Sequence, residues 1–230
     1  MQGTQLLAAI AEQLKLPLTA IVRHAELGQL IARPEHVDLS TIRMQASAAL
    51  TLVDSYLLGL QLMHEQGKLQ LEPVSVSSVL TDTAHQLHQF AKQYGVELEL
   101  HIGGKFAPVM AHRLGFRAAL ISMGHTLIES QTVEGKHRRI AMAVNRSPHG
   151  IVAGMYGEYE ALSTARWRQA LQLCGRARQP FNALAIGSGA GVFVADAILQ
   201  AMDTRLRVGR HHKQTGLCAT LLPSQQLQLV

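Results

Sequence analysis

Three glycines at alternate positions form the most distinctive chemical motif of the sequence. Gly187 and Gly189 precede an apolar stretch that predicts a helix over Ala190–Met202, and Gly191 lies at its start. Glycine carries no Cβ, so its backbone can approach a bound group closely. The free N–H groups at the start of a helix also attract anions. The motif is therefore typical of a turn that faces the phosphates of a nucleotide.

A dinucleotide-binding βαβ unit is an alternative interpretation of the same glycines, with Phe181–Ile186 as the preceding strand. That unit requires the spacing Gly-x-Gly-x-x-Gly and an acidic residue about 20 residues further on. In this sequence the third glycine comes one residue early, and residues 209–212 read Gly-Arg-His-His. Both differences disfavour dinucleotide binding through Gly187–Gly191, which stays as the alternative from another class of function.

A basic cluster near residue 210 raises the question of nucleic-acid binding. It comprises Arg205, Arg207, Arg210, His211, His212 and Lys213. The chain has 21 Lys+Arg against 16 Asp+Glu, a formal net charge of +5. A nucleic-acid-binding face requires a more concentrated charge than this. The cluster is interpreted as the charged edge of a β-hairpin, which discourages pairing with strands of other molecules.

Composition excludes several further classes. The 230 residues are 47% hydrophobic, which excludes a disordered chain. Two cysteines, Cys174 and Cys218, are too few for a disulfide scaffold and form no zinc-binding pattern. No stretch reaches the roughly 18–20 apolar residues of a membrane span, and the first residues lack the basic start of a signal peptide. A cytoplasmic protein that does not bind membranes is expected.

Two amphipathic stretches before residue 68 predict a pair of long helices. Apolar or small residues recur in steps of three and four, as they do in a helix with one buried stripe. Residues 33–38 separate the two stretches, and Pro17 is expected to kink the first helix. The stripes comprise Leu7, Ala11, Leu14, Leu18, Ile21, Ala25, Gly28 and Ala32, and then Leu39, Ile42, Ala46, Ala49, Val53, Tyr56, Leu60 and Met63.

An antiparallel hairpin of two such helices leaves part of its apolar stripe uncovered. A second copy of the chain would bury this stripe in a four-helix bundle, and we predict this homodimer. The alternative is that the hairpin packs on the rest of its own chain.

From residue 69 the pattern changes to short strands that alternate with helices. Helices are predicted over Ser75–Tyr94, Arg113–Ser130, residues 159–175 and Ala190–Met202. Strands are predicted over Lys68–Pro73, Val96–Ile102, Arg139–Asn145, Ile151–Tyr156, Arg205–Gly209 and Leu217–Leu222. The fold class is α+β, an α/β sandwich in which helices cover a mostly antiparallel sheet.

The first predicted helix and the glycine motif together resemble a known family. Residues 12–18 read Glu-Gln-Leu-Lys-Leu-Pro-Leu. This stretch, with the hairpin and the glycines before a helix and a final hairpin, resembles the core of bacterial sensor histidine kinases. Their first helix carries a phosphoacceptor in a His-Glu-Leu-Arg-Thr-Pro-Leu pattern. The resemblance implies a dimerisation and phosphoacceptor-like domain over residues 1–68 and a histidine-kinase-like, Bergerat-type ATPase domain over residues 69–230.

The phosphoacceptor position of that family holds Glu12 in this sequence. A carboxylate cannot replace the imidazole nitrogen as a stable phosphoryl carrier. The nearest histidine is His24, about two turns beyond Pro17. We interpret His24 as a solvated helix residue.

Two nucleotide-binding positions of the family also differ. Its two asparagines, the second of which binds Mg²⁺, correspond to Ser122 and Thr126, whose hydroxyls are poorer ligands for that ion. Its adenine-binding Asp belongs on the strand near Gly154, but no Asp occurs between Asp82 and Asp196.

Two neighbouring features complete the predicted cleft. His125, beside Thr126, is expected at the surface. Where the family has a mobile lid over ATP, this sequence predicts an extra helix over Glu160–Arg176 that could occupy or cover the cleft.

Loss of the nucleophile, the metal ligand and the adenine anchor predicts that kinase chemistry is gone and the scaffold remains. The resemblance then implies a dimeric adaptor or regulator in two-component signalling that docks a receiver domain or a partner kinase. The implied docking residues are Gln13, Lys15, Leu16 and Leu18.

No cofactor and no metal are expected, and no residue is assigned a catalytic role. ATP and Mg²⁺ would bind only in a retained cleft, through Gly187, Gly189, Gly191, Ser122 and Thr126. The alternative is an active histidine kinase or a histidine phosphotransferase in a phosphorelay.

Overall fold

The computed structural model describes residues 52–59, 69–131, 138–159, 162–173 and 190–224, with several single positions between 18 and 50. All described positions from 18 to 59 are helical. None of the helices in these ranges has the length and apolar character that crossing a bilayer requires.

In the ranges that the structure describes, seven strands form two sheets. The strands are β1 (Glu72–Val74), β2 (Val96–Ile102), β3 (Val109–Ala111), β4 (Arg138–Ser147), β5 (Gly150–Gly157), β6 (Arg207–His211) and β7 (Gln214–Leu221). The main sheet has the order β2-β4-β5-β7-β6, and β1 pairs with β3 in a separate ribbon. β2 runs parallel to β4, and the other pairs are antiparallel.

Four helices follow residue 69 in the described ranges: α1 (Val76–Gln93), α2 (Arg113–Glu129), α3 (Thr164–Leu173) and α4 (Ala190–Gln200). Ser75 begins α1, where its hydroxyl accepts a hydrogen bond from the Ser78 N–H at 3.4 Å. Gly95, with φ +65°, follows its end in the conformation that favours glycine. His112 begins α2, where Nδ1 accepts from the Gly115 N–H at 3.0 Å.

The helices α1, α2 and α4 form a layer on one face of the main sheet. α2 packs against both α1 and α4. Alternate strand residues separate the faces: Met155 and Leu217 belong to the core beneath the helices, while Tyr156 and Cys218 form a small cluster on the opposite face. α2 therefore lies at the centre of the molecule, and its side chains from Ala119 to Glu129 are buried.

The predicted α+β architecture and most of its elements are confirmed. Several predicted starts are wrong: residues 69–71 are not in a strand, and α3 begins at Thr164 rather than near residue 159. The last two strands begin at Arg207 and Gln214 rather than at Arg205 and Leu217. The three-residue strand β3 was not predicted.

Residues 52–59 pack on the helical layer of the same chain. Leu52 and Tyr56 belong to the main core, and Gly59 lies against Val194 of α4. Leu57, on the other side of this helix, is 59% exposed. Residues 52–59 therefore follow the alternative prediction, in which the hairpin packs on the rest of its own chain.

Candidate functional site

The candidate nucleotide site centres on a row of polar residues along α2. Ser122, His125, Thr126 and Glu129 are spaced by three or four residues, so they lie along one side of the helix. All four are buried: α1 and α4 pack against this helix, and Tyr56 lies near Glu129. A nucleotide would have to enter between these residues and the elements that cover them.

Gly191 contacts the part of α2 that holds Ser122 and Thr126. A Cβ added to Gly191 would overlap the Ser122 carbonyl oxygen and lie 2.5 Å from the Thr126 hydroxyl oxygen. The Thr126 hydroxyl donates a hydrogen bond back to that carbonyl at 3.3 Å. The contact between α4 and α2 at this point therefore does not accept even a methyl group.

The structure therefore brings three of the predicted site residues together, namely Ser122, Thr126 and Gly191. Leu18, a predicted docking residue, lies on a helix and is exposed. The other predicted positions lie outside the described residues; they are Glu12, Gln13, Lys15, Leu16, Gly187 and Gly189.

Tyr56 covers the far end of the polar row. Burial and then the nearby Glu129 carboxylate raise the pKa of Tyr56 well above its ordinary value. The same two causes raise the pKa of Tyr94 to about 12. Two phenols, one from residues 52–59 and one from the end of α1, thus lie close to the last polar residue of α2.

His125 is buried, so the prediction of a surface histidine is wrong. Its ring lies 3.9 Å from the ring of Phe90, centroid to centroid. Burial lowers the pKa of His125 to about 3, which keeps the imidazole neutral at pH 7. The surface prediction failed because α2 is enclosed by its neighbours, which the local sequence pattern does not reveal.

The strand at the expected adenine position presents no carboxylate to α2. Met155 lies against Gly124, where an added Cβ would be 3.0 Å from the Met155 methyl carbon. Beyond the strand, the Tyr159 hydroxyl donates a hydrogen bond to the Leu127 carbonyl at 2.9 Å. The Met155 thioether and the Tyr159 phenol therefore occupy this side of the helical layer.

The helix α3, in the segment corresponding to the family's lid, packs against β6 and contacts α4 through one aromatic pair. Trp167 Nε1 donates a hydrogen bond to the Leu206 carbonyl at 3.1 Å. The Trp167 ring lies 5.6 Å from that of Phe193, two residues after Gly191. The predicted extra helix is confirmed, and it contacts the helix that follows the glycine motif.

The basic cluster near residue 210 lies in the β6–β7 hairpin, and β6 is an edge strand as predicted. His211, however, is buried rather than part of a solvated edge. Burial and then the neighbouring His212 and His101 lower the pKa of His211. Its contact with His101 of β2 was missed, since the two residues are far apart in the sequence.

No protein-family model matches the sequence, and no curated protein matches it either. Solved structures match its fold. The histidine kinase AdeS of Acinetobacter baumannii has a TM-score of 0.54 at 15% identity, over 92% of this chain and 97% of that chain. A bacterial phosphotransferase has a TM-score of 0.54 at 12% identity, over 95% of both chains.

A third similar structure is the histidine kinase ThkA in complex with the response regulator TrrA. Its TM-score is 0.52 at 10% identity, over 94% of this chain and 60% of that chain. These similarities define the class of fold: the protein has the fold of a histidine kinase core.

Proposed function

We propose that this protein is a catalytically inactive relative of histidine kinases and acts as a dimeric adaptor or regulator in two-component signalling. The observation that supports the proposal is the close contact of Gly191 with Ser122 and Thr126, which brings together three of the residues expected to bind a nucleotide and leaves no gap between them. The third glycine of the motif thus serves packing between two helices. Glu12 at the phosphoacceptor position agrees with the same conclusion.

We assign a separate role to each of the two parts of the chain. Residues 1–68 form the dimerising hairpin, and residues 69–230 form an ATPase-like domain without ATP. Packing of Leu52 and Tyr56 into the core of the second part supports a rigid connection between them.

A receiver domain is the proposed partner. The ThkA–TrrA complex supports this choice, since it joins a similar fold to a response regulator. The proposed docking surface is the first-helix group Gln13, Lys15, Leu16 and Leu18, of which Leu18 is described and exposed.

Dimerisation is supported by a row of exposed leucines. Leu50 and Leu57 are 64% and 59% exposed and lie seven residues apart, on one side of a helix. Exposed apolar rows of this kind are typical of surfaces that another chain covers.

Nucleotide binding is the decisive test. Trp167 is the single tryptophan of the sequence and contacts Phe193 of α4, so its fluorescence reports on the helix that borders the cleft. We expect no change in fluorescence or in Tm with Mg-ATP, and no phosphoprotein after incubation with radiolabelled ATP. An active histidine kinase core, run in parallel, is the positive control. A saturable response to Mg-ATP, or acid-labile label on the chain, would overturn the proposal.

Phosphotransfer is the second candidate, since the bacterial phosphotransferase matches the chain from end to end. It needs a phosphoacceptor, and His24 is the nearest histidine to the family's position. A His24→Gln variant and the unchanged chain, each incubated with a phosphorylated receiver domain, distinguish the two functions. Equal absence of labelling supports the adaptor, and His24-dependent labelling supports the phosphotransferase.

A further inference from the structure

Three histidines meet on the face of the main sheet that the helices do not cover. His101 Nδ1 lies 3.0 Å from His211 Nε2. His212 joins them, and one ligand nitrogen from each of the three lies within 4.8 Å of the others. None of the three takes part in the proposed signalling function.

The fold brings these residues together from opposite ends of the sheet. His101 belongs to β2 and His211 to β6, which are the first and last strands in the order β2-β4-β5-β7-β6. A flat sheet would separate them by about 19 Å, at about 4.8 Å per strand. The two imidazole side chains therefore reach toward each other from the two edge strands, across the uncovered face of the sheet.

Hydrogen bonds orient the two inner imidazoles. Glu99 Oε2 lies 3.1 Å from His101 Nε2 and can accept its proton, which leaves Nδ1 of this ring as a free lone pair. Asn145 Nδ2 lies 3.1 Å from His211 Nδ1, so Nδ1 accepts this hydrogen bond and Nε2 holds the ring proton that points to His101. When the Asn145 amide turns over, its side-chain oxygen accepts a proton from Nδ1, and Nε2 becomes free to bind an ion. Carboxylate and amide partners of this kind fix the orientation of histidines that bind metals.

The spacing of the nitrogens fits a tetrahedral ion after small movements. Two nitrogens bound to zinc at about 2.0–2.1 Å lie about 3.3 Å apart in tetrahedral geometry. His101 and His211 need to separate by only a few tenths of an ångström. His212 is exposed in the turn after β6, so its side chain can rotate toward the other two.

A fourth coordination position opens into a pocket of about 680 Å³. The pocket lies over the small cluster on this face, and its lining includes Tyr156, Arg207, Arg210 and Cys218. Water can enter there and complete the coordination. Three imidazoles with one open position form a set that suits zinc and the neighbouring divalent transition metals.

We propose that His101, His211 and His212 form a binding site for a divalent transition-metal ion of the zinc class, with a water molecule as the fourth ligand. When the ion binds, the His211 ring proton moves from Nε2 to Nδ1, where the turned Asn145 oxygen accepts it, and the ion links side chains from the two edge strands of the sheet. Magnesium and calcium, which prefer oxygen ligands, do not bind there.

Zinc titration of the full, untagged chain by calorimetry tests the site. We expect one zinc ion per chain, a higher Tm with zinc, and no response to magnesium. His212→Asn removes a ligand and suits the turn, since Asn accepts the φ of +51° that His212 adopts. This variant should bind zinc at least 10-fold more weakly, and His101→Gln should do the same.

His149→Gln is the matched control, because His149 is exposed in the turn between β4 and β5, outside the cluster. It should bind zinc as the unchanged chain does. Titration with cobalt(II) provides a second measurement, because tetrahedral cobalt(II) absorbs visible light strongly. The proposal would be overturned if the unchanged chain showed no saturable zinc binding. It would also be overturned if His212→Asn and His101→Gln bound zinc as tightly as the control.

Discussion

Gly59 and Val194 lie so close together that a Cβ added to Gly59 would be 2.7 Å from Val194 Cγ1. Gly59 is the last residue of the described helical stretch 52–59, and Val194 is buried in α4. The second helix of the predicted hairpin thus rests on the helix that follows the glycine motif. A movement of either helix must be transmitted to the other.

Gly59→Ala tests this contact. Alanine improves helix propensity by about 1 kcal/mol, but overpacking against a stiff, buried valine costs about 1–3 kcal/mol. We expect a net loss of about 1 kcal/mol in the free energy of unfolding, measured by urea denaturation. Val194→Ala makes room for the added methyl group. The loss of unfolding free energy in the double variant should then be about 1 kcal/mol smaller than the sum of the two single losses. Strictly additive losses would contradict the contact.

Gly191→Ala tests the filling of the candidate cleft. The added methyl group would meet the backbone carbonyl of Ser122, which cannot rotate away as a side chain can. We expect a loss of about 2 kcal/mol or more in unfolding free energy. Gly103→Ala is the matched control, since nothing lies within 4 Å of an added Cβ there. If both variants were equally stable, α4 would not rest on α2 and the cleft would be open.

His125 should make the protein less stable in mild acid. Its folded pKa is about 3, against about 6.5 in an unfolded chain. Above pH 6.5 both states are neutral, so His125 adds no pH dependence. Below that value the unfolded chain binds a proton that the folded chain does not, and stability falls as the pH drops toward 3. The expected loss from this group is about 2 kcal/mol at pH 5.

The measurement is urea denaturation at pH 7 and pH 5, with His125→Leu as the comparison. The variant lacks the titrating group, so it should lose about 2 kcal/mol less between the two pH values. Equal losses in both proteins would mean that His125 is protonated in the folded state.

Leu57→Glu should weaken the proposed dimer and leave the fold intact. Leu57 is exposed, so the charge costs little in the single chain but prevents burial against a second copy. Light scattering should give the mass of one chain for this variant and of two for the unchanged protein. Leu114→Glu, at an equally exposed leucine (59%) on α2, is the control and should remain dimeric. A single-chain mass for the unchanged protein would exclude the dimer.

Local patterns predicted the elements well. β2 was predicted over Val96–Ile102 and has those bounds, because alternation within one strand is visible in the sequence itself. α2 was predicted to start at Arg113 and does so. β3 has only three residues, too few to show a period.

Burial of polar residues was not predictable, because it depends on distant elements. His125 is buried since α1 and α4 flank α2 on both sides, and no local pattern specifies that enclosure. The meeting of Glu129 with Tyr56 likewise requires residues 52–59 to lie on the layer. Ser122, Thr126 and Gly191 were placed in one site by family resemblance alone, and their close packing is visible only in three dimensions.

The contact of His101 with His211 joins residues 110 positions apart in the chain. β5 has β4 on one side and β7 on the other, so it is an open edge until the β6–β7 hairpin has been made. Long-range pairing of this kind slows folding. During synthesis, almost all residues up to Leu221 must therefore have left the ribosome before the main sheet can be completed. Until then the apolar edge of β5 is available to chaperones and to other unfinished chains.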